Sequence, residues 1–193
     1  MCARVRLSPE KRKEEIKNAA MKLFTEKGFS HTTMENIINE TGLSKGGFYH
    51  YYNSTSDILY DLMKDGIEYR NQVIKSKIGE FKNDEIEFMA ERFYEKIVDD
   101  NPYMGIYIEF LLLKSKNPKL ESLFKILKEK TRKELFSFFE KLPNSFIDDE
   151  KYTMLTDFIN SLILGAGVLD ARKGFIKNRI LIIKMIHLIL DSG

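Results

Sequence analysis

At 193 residues the chain has room for one domain of ordinary size, or for a small domain joined to a larger one, and it can bury a real core. Hydrophobic residues at 43% and charged residues at 31% exclude a disordered or low-complexity chain, and the single Cys2 excludes an internal disulfide and a multi-cysteine metal site. A formal charge of +2, taken as one number, argues neither for nor against a nucleic-acid partner.

In chain order the apolar residues recur at helical spacing, as in Ile16, Ala19, Ala20, Leu23 and Phe24, and strand-like alternation is scarce. The expected fold class is all-α, with about nine helices. Ser8 before Pro9 predicts an N-cap with proline at the first helical position, and Gly28 a stop. Thr32 with Glu35 reads as a capping box for a short helix ending near Gly42. Ser44 caps a second short helix over 45–51, and Ser54 with Asp57 opens a long one to about 78. Beyond it, Asn101-Pro102, Asn117-Pro118 and Pro143-Asn144 punctuate helices near 84–99, 103–114, 118–141, 148–172 and 174–191. The most apolar run, 175–190, is interrupted by Lys177, Arg179 and Lys184, so no membrane span and no secretory leader is expected, and the chain reads as cytoplasmic.

Charge divides the chain where the motifs do. Residues 1–54 hold nine Lys/Arg against six Asp/Glu, a net +3, which leaves −1 for 55–193. The expected domains are therefore a small basic module, 1–54, and a larger helical body, 55–193. Within the module, 32–52 gives two short helices joined by a glycine-bearing turn, which is helix-turn-helix spacing. Gly42 supplies the turn, Ile37 and Leu43 fill the space between the helices, and Phe48 anchors the second from beneath. Lys45, Tyr49, His50 and Tyr51 are then left outward, rich in donors and on an element that fits a major groove ~12 Å wide. The same pattern also describes a helical hairpin whose tyrosines cover a core, and spacing does not separate the two.

The residues Ile16, Ala19-Ala20, Leu23-Phe24, Gly28-Phe29, Thr32-Thr33, Ile37, 41–46, 48–52 and 57–59 together closely resemble the N-terminal DNA-binding domain of the TetR family of transcriptional regulators. The resemblance implies a homodimer that binds double-stranded DNA at a palindromic operator and releases it when a small-molecule effector enters the C-terminal domain, with no cofactor or metal. Position by position it implies that Lys45, Gly46, Gly47 and Tyr49 reach bases and backbone, that His50 and Tyr51 touch phosphates, and that Thr32 or Thr33 contacts the backbone. Three residues depart from the family pattern. Thr55 stands where a phosphate-gripping lysine is usual, Ile38 replaces a small residue between the helices, and Gly47 removes a side chain able to read a base edge. The last two imply an altered helix crossing and more reliance on DNA shape. Arg4 and Arg6 precede the first helix and read either as contacts to phosphate or the minor groove or as part of a frayed terminus.

In the body, the C-terminal helix is apolar around most of its circumference, more than one neighbour can cover. It is expected to pair with the helix carrying Phe158, Leu162 and Gly165 and, through Ile176, Ile180, Ile183, Ile186 and Leu190, to meet a second subunit in a four-helix interface. Phe93, Tyr94, Tyr103, Met104, Tyr107, Phe110, Phe124 and Phe158 are ordinary core or the lining of a cavity for a largely apolar or aromatic ligand. Glu109, the one charge in 103–113, reads as a ligand contact or as a structural carboxylate. No metal-spaced cluster or nucleophile motif appears, and the three histidines are scattered, so no catalysis is expected. The alternative to a regulator is a helical protein–protein adaptor without ligand-controlled DNA binding.

Overall fold

The computed structural model describes residues 8–78, 84–137 and 148–191. Arg4, Arg6 and the expected break at Pro143-Asn144 lie outside them, as does the side chain of Phe136. Among the described residues there are ten α-helices and no strand: α1 Pro9–Lys27, α2 Met34–Thr41, α3 Lys45–Tyr49, α4 Thr55–Lys77, α5 Glu85–Val98, α6 Met104–Lys114, α7 Pro118–Phe136, α8 Asp149–Val168, α9 Arg172–Lys177 and α10 Arg179–Asp191. They form two compact units, Met1–Asp65 with Gly105–Leu123, and Gly66–Met104 with Phe124–Gly193. Compact packing therefore does not cut the chain at residue 54, because α4, α6 and α7 each run on from one unit into the other.

In the first unit, Ser8 accepts the Lys11 N–H at 3.3 Å to start α1, and Gly28, at φ 82°, stops it with its N–H on the Phe24 carbonyl at 2.9 Å. Ile16, Ala20, Leu23 and Phe24, three or four apart, make the buried stripe of α1. The cap of α2 lies one residue later than Thr32 with Glu35 predicts. Thr32 is buried with its side chain turned back onto the end of α1, where its hydroxyl donates to the Gly28 carbonyl at 2.8 Å, and Thr33 and Asn36 exchange the reciprocal bonds at 3.0 and 3.2 Å. Gly42 ends α2 in the left-handed region, φ 60°.

In the second unit α5 packs against α8 and α10 through Met89, Ala90, Ile97, Leu155, Ile159, Ile163 and Ile186. The single helix expected over 174–191 is two, because the Asn178 amide donates to the Gly174 carbonyl at 2.9 Å and closes α9 before α10 begins. Gly165 lets the Phe175 ring come close: a Cβ there would sit 3.3 Å from it.

Three residues expected at a subunit interface lie inward in the single chain. Ile183, Ile186 and Leu190 are 6%, 0% and 1% exposed in the single chain, since they form the face of α10 that covers its own unit. Gly165 is likewise buried beneath Phe175, and Phe158 and Leu162 are half-buried. Ile176 and Ile180 do lie outward, joined by Leu181, Met185 and Leu188, which the expectation omitted.

Candidate nucleic-acid interface

The second helix of the helix-turn-helix is built from local signals. Ser44 accepts the Gly47 N–H at 3.2 Å and caps α3, while Phe48, fully buried, fixes which side of this five-residue helix faces inward. Lys45, Gly46, Gly47, Tyr49 and His50 are consequently exposed on its other side, Tyr51 and Thr55 are half-buried, and Thr33 is exposed at the start of α2. Thr32 departs from this set. At 5% exposure, with its hydroxyl committed to the end of α1, it braces the module from within. Ile38, 6% exposed, is accommodated in the core between the helices.

Lys45 does not stand alone. Its Nζ lies 3.0 Å from Glu35 on α2, and the hydrogen bond to that carboxylate, then its charge, hold Lys45 above the usual lysine range. The pair joins two helices across ten positions, a contact no helical spacing signals. A Cβ on Gly46 would meet nothing within 4 Å, whereas one on Gly47 would meet the capping Ser44 hydroxyl at 3.1 Å. His50 and Tyr51 pack edge-to-face at 5.1 Å, which orients both rings at the end of α3.

Sequence reasoning missed the neighbour of α4's first turn. Lys119, at the start of α7, donates to the Ser54 hydroxyl at 2.9 Å and lies 3.5 Å from Asp57. It borders a cleft of 270 Å³ within the first unit, together with Lys13, Tyr51, Asn53 and Tyr60. On the cleft floor Tyr52 donates to Asp61 at 2.9 Å, and burial, then that carboxylate, push its phenol well above the usual range.

The residues expected to line a ligand cavity divide between the units. Tyr107, Glu109 and Phe110 belong to the first, and Phe93, Tyr94, Tyr103, Met104, Phe124 and Phe158 to the second. Phe110, Met104 and Tyr94 are buried, and the Arg179 guanidinium lies 5.5 Å from the Tyr94 ring centre, so Tyr94 helps seat α10 on α5. Tyr103 packs over Gly66, which has no Cβ to obstruct it. Glu109 Oε1 accepts the Phe29 backbone N–H at 2.6 Å.

Residues 16–62 match the family model for bacterial regulatory proteins, tetR family. That stretch is TetR-type in sequence. The TetR-type region is 39% identical over 59 residues to the uncharacterized HTH-type transcriptional regulator YfiR of Bacillus subtilis, covering 31% of this chain and 29% of that protein. Over 161 residues the chain is 22% identical to IcaR of Staphylococcus aureus, an HTH-type negative transcriptional regulator of the biofilm operon icaADBC, covering 80% of this chain and 84% of IcaR. Its fold is that of Thermus thermophilus FadR, a TetR-family transcriptional repressor solved with lauroyl-CoA, at a TM-score of 0.60 and 21% identity over 89% of this chain and 93% of that one. What the match supports is a helix-turn-helix module of the TetR type within residues 16–62. No helix among the described residues is long and apolar enough to cross a membrane.

Proposed function

We propose that this protein is a TetR-family regulator, a homodimeric repressor that holds a palindromic operator and lets go when a small effector with a largely apolar or aromatic part binds its helical body. The observation that carries the reading is the outward face of α3, where Lys45, Gly46, Gly47, Tyr49 and His50 stand exposed over a buried Phe48. Two such helices, one per subunit, reach successive major grooves when their separation is about 34 Å, one turn of the duplex. With Gly47 lacking a side chain and Thr55 offering only a hydroxyl, recognition leans on backbone approach and DNA shape, and one ionic contact fewer is made.

Negative regulation by IcaR supports the repressor assignment, and the acyl-CoA bound by FadR supports an effector with an apolar part. A second subunit is supported by the row Ile176, Ile180, Leu181, Met185 and Leu188, between 38% and 72% exposed. Release is a population shift: the effector favours a dimer in which the start of α4 has moved and the two α3 helices no longer fit adjacent grooves.

A gel-shift titration with the DNA upstream of the chain's own gene, over a range of salt, tests the reading. A specific complex that weakens steeply with salt is expected. Replacing Lys45 and Tyr49 together abolishes it and leaves dimerisation intact. Loss of a protein partner, with no DNA complex in the unaltered protein, would favour a protein–protein adaptor instead.

A further inference from the structure

In the second unit, α4 and α5 face each other through long charged side chains. Arg70 donates to the Arg92 carbonyl at 2.9 Å and to Asp99 Oδ2 at 3.4 Å, and the same Oδ2 accepts from Asn101 at 3.0 Å. Arg92 is 9% exposed, lies 4.9 Å from the Phe88 ring centre, and gives one Nη2 proton to Glu95 Oε1 at 2.9 Å. Lys77 takes that same Oε1 at 2.5 Å. Lys96, also on α5, is near enough to Arg70 to feel its charge. These contacts thus set Arg70, Lys77 and Arg92 against two carboxylates, Glu95 and Asp99, and one oxygen of each carboxylate already serves two donors.

What remains unspent is specific. Arg92 Nε and Nη1 are buried and have no hydrogen-bond partner, and neither has Glu95 Oε2. A guanidinium N–H removed from water and left unpaired costs more than an ordinary neutral donor, and native structures keep such groups where something else completes them. Two open cationic donors in a region of excess positive charge are completed by negative oxygens. The single open acceptor beside them is completed by a hydroxyl. Burial first, then Arg70, pushes the neighbouring Lys96 down to about 8.

We propose that Arg92, beside Arg70, forms the subsite for the anionic head of the effector, a carboxylate or phosphate that also carries a hydroxyl. Arg92 Nε and Nη1 hold its negative oxygens, Glu95 Oε2 accepts from its hydroxyl, and its apolar part lies toward the Tyr69 and Tyr103 rings, which are 6.2 Å apart beside this cluster. The inference rests on the regulator reading only in calling the bound anion an effector.

Calorimetry on the full chain without DNA tests it, using sodium decanoate, 2-hydroxydecanoate, inorganic phosphate and neutral decanol. Binding of 2-hydroxydecanoate tighter than decanoate, with decanol silent, assigns a hydroxylated carboxylate head; binding of phosphate alone assigns a phosphate head. Arg92→Gln then weakens the bound anion by roughly tenfold or more, the scale of a lost charged hydrogen bond, while Lys133→Gln on the exposed face of α7 leaves it unchanged. Arg92→Lys keeps the charge and loses the fork, and serves with the decanoate-against-decanol comparison if the glutamine variant does not fold. No anion bound by the unaltered protein, or Arg92 variants that bind the anion as tightly as the unaltered protein does, leaves only a buried water as the partner of Arg92 and overturns the proposal. Failure of the gel shift alone would sink the repressor reading and leave the anion site standing.

Discussion

Glu109 Oε1 accepts the backbone N–H of Phe29 at 2.6 Å, so a carboxylate on α6 completes the turn that ends α1, 80 positions earlier. The turn needs that acceptor because Gly28, at φ 82°, swings the chain out of α1 and into the short 3-10 turn Phe29–His31, and the Phe29 N–H begins a new element with no helical partner behind it. Glu109→Ala is expected to lower stability by about 1–3 kcal/mol, the cost of stranding a donor, while Glu109→Gln keeps an acceptor and loses less. Gly28→Ala is destabilising twice over, through its positive φ and through a Cβ 3.0 Å from Glu109 Oε1. Urea melts of the two single variants and their double check this: the crowding component of Gly28→Ala disappears when Glu109 is already alanine, and the backbone component stays.

Lys45 is engaged by Glu35 at 3.0 Å, and both side chains are exposed, so a phosphate or base competes for a cation already held. Glu35→Gln removes the competitor and one negative charge from the recognition surface. Operator affinity in a gel shift should rise severalfold at low salt, with the gain shrinking as salt screens it. Lys45→Gln should weaken binding and flatten the plot of log affinity against log salt by about one unit. An unchanged slope would remove Lys45 from the interface.

These two contacts mark the boundary of what the residue string reveals. Ser8, Ser44, Gly28 and Gly42 act on their immediate neighbours, so spacing locates α1, α2 and α3 to within a residue or two and identifies the outward face of α3 from Phe48 alone. The shift of the α2 cap from Thr32 to Thr33 was illegible because it depends on the Gly28 carbonyl approaching the Thr32 hydroxyl. Glu109 with Phe29, and Lys119 with Ser54, are set by tertiary packing across 80 and 65 positions, which no periodicity carries. In α10 the pattern shows that two faces are apolar and is silent on which one the same chain covers.

Gly46 and Gly47 are neighbours with opposite surroundings. Alanine at 46 enters open space and gains about 1 kcal/mol of helix propensity, so Gly46→Ala should raise the melting temperature. If the α3 backbone approaches DNA there, the same methyl lowers operator affinity, and the two effects separate in a melt and a gel shift on one sample. Alanine at 47 presses on the Ser44 cap at 3.1 Å, and its propensity gain is offset by the cap it disturbs, so Gly47→Ala should stabilise less than Gly46→Ala.

Lys96 gives stability a pH dependence of definite sign. Burial and Arg70 lower its folded-state value to about 8, against an ordinary value of ~10.4 for an unfolded chain. Between those two values the unfolded chain binds the extra proton, so stability rises with pH through that window. The melting temperature of the unaltered protein should gain on that of Lys96→Met as pH increases from about 8 to about 10. An anion seated by Arg92 favours the protonated amine, so a bound carboxylate should move the window upward.

The apolar faces of α10 predict opposite failures for similar substitutions. Ile180 and Leu188 are 69% and 72% exposed, while Ile186, between them in sequence, is fully buried. Leu188→Asp or Ile180→Asp places a charge where the single chain tolerates it. If a second subunit covers that row, burying an unpaired carboxylate there costs several kcal/mol, about the scale that holds many dimers together, and the protein elutes as a folded monomer. Ile186→Asp puts the same charge inside the unit's own core and should unfold the chain before assembly is in question. Sedimentation velocity together with a helical circular dichroism signal distinguishes the outcomes. A Leu188→Asp protein that is folded and still dimeric would move the subunit contact away from this face of α10.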